Sequence, residues 1–167
     1  KAARGMYEKL LKLNFSSQDV LLRLVNISLR MGQPEKALKY MQQGPDNTPF
    51  RLTVASMFME SRHFLQAETL RKQIVAQGDA PMDVYLLLAE LAYDQRRDLD
   101  LAFSWLDKIP PSSKAAVRGE LLRTQLLAEA GRDAEALAAV SKAISANPDS
   151  SELVEVEVRL LARQKQM

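Results

Sequence analysis

A chain of 167 residues with 47% hydrophobic side chains can fill the core of one or two ordinary domains. Its net charge of +2 gives no bulk electrostatic case for nucleic acid as a partner. It has no cysteine, which excludes structural disulfides and thiolate metal sites, and no run of about 18 apolar residues that would insert into a membrane.

Taken in chain order, the first helical segment spans residues 1–13, with Ala3 ahead of Tyr7 and Leu10. The chain opens on Lys1 inside this pattern and carries no signal-peptide motif, so it is expected to be a piece of a longer protein. "NFSSQD" (14–19) ends that segment, and a helix pair follows over 17–47, divided at "MGQPE" (31–35). Pro34 suits the first turn of a helix, where its missing N–H has no intrahelical partner to lose. "GPDNTP" (44–49) leads into a pair over 48–81, divided at "ESRH" (60–63). "GDAPMD" (78–83) leads into a pair over 82–112, divided at "DQRRDLD" (94–100). "PPSS" (110–113) leads into a pair over 113–149, divided at "AGRD" (130–133). "NPDSS" (147–151) precedes a half repeat over 150–167. The clusters between pairs each combine turn formers with an N-cap candidate, the pattern by which one helix stops and the next starts. Only "LVEVEV" (153–158) alternates like a strand. It is assigned to helix, because "SSEL" supplies a cap and Val154, Val158 and Leu161 share one helical face. The expectation is an all-α array of about ten helices.

Alanines recur at 3, 37, 67, 102 and 136, in steps of 34, 30, 35 and 34. A fixed period of this size is the mark of a solenoid, in which each helix pair buries its apolar face only against its neighbours. An alanine where leucine would bury more surface implies that another backbone passes close by. The last full pair carries Gly131, Ala136, Val140, Ala143 and Pro148; the first carries Leu21, Leu24, Val25, Gly32, Ala37 and Met41. The third carries Tyr85, Leu88 and Ala89, then Ala102, Leu106 and Ile109 after a one-residue insertion near Arg96. On these residues the chain resembles the tetratricopeptide repeat (TPR) superfamily, whose 34-residue unit is a pair of antiparallel helices stacked into a right-handed superhelix. The resemblance covers nearly the whole chain, which makes residues 1–167 a single array. Departures fall in the second pair, with Arg51 at repeat position 4, Arg71 at 24 and Ile74 at 27. The fourth pair has Glu120 and Arg123 at positions 4 and 7, which predicts a rotated or slipped first helix.

No phosphate loop, dinucleotide fingerprint, zinc-protease motif or nucleophile elbow is present. One histidine, His63, in the turn "ESRHF", cannot build a zinc site without cysteine. The chain is therefore expected to be no enzyme and to hold no catalytic residue, cofactor or metal. Trp105 is expected to pack between neighbouring repeats, and Met31, Met41, Met57 and Met59 to fill the core of the first two pairs.

What remains is the concave groove that the resemblance implies on the first helix of each pair. It places Leu22, Arg23, Asn26 and Arg30 in the first pair, Met59 in the second, and Leu87, Glu90, Tyr93 and Asp94 in the third. Gln125 and Glu129 follow in the fourth, and Glu155 and Arg159 in the last helix. Asn26 matches the asparagine that bonds a ligand backbone in peptide-binding members, and Arg23 and Arg30 lie on the same face, where the three could hold a carboxylate. Residues 1–80 hold 12 Lys/Arg against 7 Asp/Glu, net +5; residues 81–167 hold 11 against 14, net −3. The groove is accordingly expected to be basic around Asn26 and acidic at Glu90, Asp94, Glu129 and Glu155, with Leu22, Met59, Leu87 and Tyr93 as apolar anchors.

These features predict a non-catalytic protein–protein interaction scaffold that takes another protein or peptide segment, with self-association through exposed repeat ends as a further possibility. The alternatives are a structural spacer between modules and a cytoplasmic TPR adaptor or co-chaperone. Wording such as "GRDAEAL" and the missing cysteines suggest a bacterial, periplasmic setting. In style the chain is similar to the periplasmic TPR regions of outer-membrane exopolysaccharide-export proteins, which implies docking within an exopolysaccharide-secretion complex.

Overall fold

The computed structural model describes residues 5–7, 9, 17–78 and 80–164. Among them the only regular structure is helix, and the chain divides into two compact units, 1–80 and 81–167. The expected Ala3 and Leu10 lie outside the described residues.

The first unit holds α1 (Gln18–Arg30), α2 (Pro34–Met41), α3 (Thr48–Glu60) and α4 (Phe64–Gln77), besides helical residues at 5–7 and 9. α1 packs on α2, α3 on α4, and α1 on α3. Side-chain caps start the two first helices: Ser17 Oγ accepts from Val20 N–H at 3.3 Å, and Asn47 Oδ1 from Phe50 N–H at 2.9 Å. Pro34 stands in the opening turn of α2. The core is built from Leu21, Leu24, Val25, Phe50, Val54 and Phe58, closed by Ala37, Ala67 and Leu70 from the second helices. Met41, Met57 and Met59 pack half-buried against it, whereas Met31 is 38% exposed.

The second unit holds α5 (Met82–Arg96), α6 (Leu99–Leu106), α7 (Ala116–Glu129), α8 (Asp133–Ala146) and α9 (Ser151–Gln164). α5 packs on α6, α7 on α8, and α8 on α9, while α7 also meets α5, α6 and α9. Asp98 Oδ1 caps α6 by accepting from Leu101 N–H at 2.9 Å. At the start of α8, Arg132 makes two bonds to Glu135, at 2.6 and 2.5 Å. That hydrogen bonding holds the Glu135 carboxyl below the usual carboxylate range and raises the Arg132 guanidinium.

One turn recurs in all four pairs. The first helix ends on a left-handed residue: Gly32 (φ 67°), Arg62 (61°), Arg97 (54°) and Gly131 (75°). The next N–H then reaches back over the helix end: Gln33 to Ser28 O at 2.9 Å, His63 to Phe58 O at 2.8 Å, Asp98 to Ala92 O at 3.4 Å and Arg132 to Leu127 O at 2.9 Å. In the first, second and fourth pairs this is a six-to-one bond; in the third, the one-residue insertion near Arg96 lengthens it by a residue, and each bond satisfies a carbonyl that the helix leaves without a partner. Five residues after each left-handed residue stands an alanine, Ala37, Ala67, Ala102 or Ala136, each 0% exposed. The turn fixes where the second helix starts and the methyl side chain lets it lie close, so within each unit the pairs take a TPR-like helical fold.

Several expectations change on this frame. The fourth pair keeps its register: Thr124 and Leu127, at repeat positions 8 and 11, are 0% and 4% exposed, so α7 is not slipped. Arg123 is accommodated at position 7 by Asp107, at 2.5 Å, and by the Phe103 ring, 4.7 Å from the guanidinium carbon. Arg51, at position 4 of the second pair, bonds Asp46 at 2.5 Å, while Arg71 is buried on α4 beside Ile74. Trp105 is half-buried against the core cluster that its pair shares with Ala115, Leu122 and Leu126 of the next, its ring centroid 6.5 Å from that of Tyr85 on α5. His63 sits at the start of α4 with its ring edge-on to Phe58. Residues 153–158 are helix, with Leu153 and Leu160 buried, while Val154, Val158 and Leu161 are 42%, 59% and 45% exposed.

Candidate protein-interaction faces

In the first unit, α1 gathers Leu22, Arg23, Asn26 and Arg30 around one cavity of about 450 Å3. Spacings of three and four residues put these side chains on one helical face. Ile27, Tyr7 and Met57 of α3 complete the lining. Arg23 lies over the Tyr7 ring, its guanidinium carbon 5.9 Å from the centroid, which holds the charge at the mouth without neutralising it. Arg30 occupies the last turn of α1, where the helix dipole favours a cation. Arg23, Asn26 and Arg30 are exposed over an apolar floor of Leu22, Ile27 and Met57. The four residues expected in the first pair are therefore together; Met59, expected beside them, packs against the unit's core instead.

In the second unit, Leu87 of α5 is half-buried and Glu90 and Asp94 are exposed. Tyr93 is not an accessible anchor. It is 3% exposed, in a cluster with Ala89 and Ala92, and Arg97 covers its ring at 4.8 Å. The reason lies in helical geometry: Leu29, Met59 and Tyr93 each stand one turn beyond the fully buried Val25, Ala55 and Ala89, so the same face turns them inward.

Gln125 and Glu129 are exposed on α7 and joined by a 2.8 Å bond from Gln125 Nε2 to Glu129 Oε1. Gln125 also lines a second cavity of about 450 Å3, with Leu121 from α7 and Val156, Arg159, Leu160 and Arg163 from α9. The sequence pointed to acid here. The cavity instead has two guanidinium groups on its wall, while Glu155 stands beside it, 3.7 Å from Arg159. Arg163 was missed because the repeat register was not carried to the end of the last helix; a second arginine four residues after Arg159 was the available signal.

Two further cavities involve the second helices, the first of them shared with α7. One of about 330 Å3 is lined by Ile109, Gly119, Ala143 and Ala146 among others, and one of about 450 Å3 by Leu38, Met41, Leu65 and Gln66 among others. Among the described residues no group of three or more histidines or carboxylates is placed to hold a metal, and no helix is long and apolar enough to cross a membrane.

No family model and no curated protein matches the chain. Solved structures do. The crystal structure of MamA is 18% identical, covers 90% of this chain and 90% of its own, and superposes with a TM-score of 0.61. A MamA structure designated AMB-1 is 16% identical over 89% of this chain and 82% of its own, with a TM-score of 0.55. YrrB, described as a TPR protein with an unusual peptide-binding site, is 13% identical over 95% of this chain and 84% of its own, with a TM-score of 0.56. At these identities the likeness is one of fold.

Proposed function

We propose that the chain is a non-catalytic scaffold that docks a partner protein through the first-helix faces of its helix pairs. The observation that carries this is the α1 cavity, where exposed Arg23, Asn26 and Arg30 surround an apolar floor. Two cations and a carboxamide beside half-buried aliphatic side chains suit a peptide segment with a carboxylate next to an apolar side chain. YrrB supports the reading as a TPR protein with a peptide-binding site of its own. The finer setting proposed is the bacterial periplasm, within an exopolysaccharide-secretion complex; it rests on the absence of cysteine and the style of the repeats. Fractionation of cells expressing the parent protein tests the compartment.

The binding test is affinity capture followed by variants. Arg23→Glu with Arg30→Glu is expected to weaken capture of whichever protein the wild-type chain retains, mainly by slowing association and flattening its salt dependence. Leu65→Asp, at a residue on the second-helix side that is itself 67% exposed, is expected to leave capture unchanged. The opposite pattern places function on the other face, and no specific capture at all favours a spacer.

A further inference from the structure

We infer that the α7–α9 cavity is a second docking site of the same chemistry, so that the partner carries two acidic–aliphatic segments, each seated on a different unit. This rests on the function proposed above for the α1 cavity. The two cavities are built from the same repeat positions. Position 5 supplies Leu22 in α1 and Leu121 in α7, and position 13 supplies Arg30 in α1 and Arg163 in α9. Position 9 supplies Asn26, Gln125 and Arg159, and position 10 supplies Ile27, Met57 and Leu160. Each cavity has an aliphatic floor, a carboxamide and two arginines drawn from the first helices of adjacent pairs; Tyr7, which also lines the first, has no counterpart in the second.

The charge around the second cavity favours a carboxylate ligand. Arg159 and Arg163 are exposed, and each is ion-paired at a distance longer than a hydrogen bond: Glu155 Oε1 is 3.7 Å from Arg159 Nη2, and Asp133 Oδ2 is 3.7 Å from Arg163 Nε. Neither contact is within hydrogen-bond length, so both guanidinium groups keep donors for an incoming carboxylate. Glu129 is held aside by the bond it accepts from Gln125. The aliphatic floor of Leu121, Val156 and Leu160 requires an apolar side chain next to that carboxylate, which a bare anion does not supply.

The test uses the 167-residue chain and an end-blocked hexapeptide alternating leucine and aspartate, followed by amide and arginine side-chain NMR. Two independent sets of shifts are expected, one at α1 and one at α7 and α9. Arg159→Glu with Arg163→Glu should weaken the second set about tenfold or more and leave the first in place. Arg23→Glu with Arg30→Glu should do the reverse. The inference is overturned if the α9 resonances stay still, or respond equally to a leucine–asparagine peptide or to inorganic phosphate. It is also overturned if, in a chain that carries Val158→Glu with Leu161→Glu to silence the exposed apolar stripe of α9, they shift with chain concentration alone, since the cavity face then serves a second copy. Loss of the α1 set alone would undo the proposed function of that face while leaving the second site standing.

Discussion

Arg62 and Arg97 adopt the backbone conformation that Gly32 and Gly131 adopt in the other two pairs. The glycines announced their turns in the sequence. The arginines hid the same turn, because the left-handed requirement is met here at a cost rather than by residue choice. A side chain in that conformation costs about 1–2 kcal/mol relative to glycine. Arg62→Gly should therefore stabilise the chain by about 1 kcal/mol, seen as a higher denaturation midpoint at unchanged slope. Arg97→Gly should gain less, because Arg97 also covers the Tyr93 ring. A fall in midpoint for Arg62→Gly would contradict this account of the turn. Tyr93 teaches the converse lesson: its type suited a binding anchor, and only the helical face it shares with Ala89 turns it inward.

The helices were legible because turn formers, caps and the alanine period agree with one another. α9 shows where that agreement stops. Val154, Val158 and Leu161 stand at repeat positions 4, 8 and 11, where α1 buries Leu21, Val25 and Ser28 beneath its pair partner. On α9 the same stripe is exposed, three apolar side chains in line at spacings of four and three. Sedimentation of the 167-residue chain should show concentration-dependent self-association. Val158→Glu with Leu161→Glu should remove it without loss of helix content, since neither side chain lies in the core. A chain that stays monomeric at high concentration would show that the stripe alone drives no association.

At the scale of the molecule, the chain divides into two compact units whose boundary in sequence falls between Ala80 and Pro81. The charge asymmetry of the sequence, +5 before that point and −3 after it, follows the same division. Net charge nevertheless misjudged the second unit's face, because Arg159 and Arg163 converge on one cavity whatever the surrounding total. Local patterns thus carried the solenoid, and side-chain direction at particular repeat positions decided the faces. The central claim is that partners dock on first-helix faces, and the cysteine-free chain allows a direct test. Single cysteines at Asn26 and Gln125 report those faces; at Leu65 and Lys142 they report the second-helix side, and all four positions are exposed. With a captured partner at saturation, alkylation should slow at least tenfold at positions 26 and 125 and stay unchanged at 65 and 142. Protection confined to 65 and 142 would contradict the account.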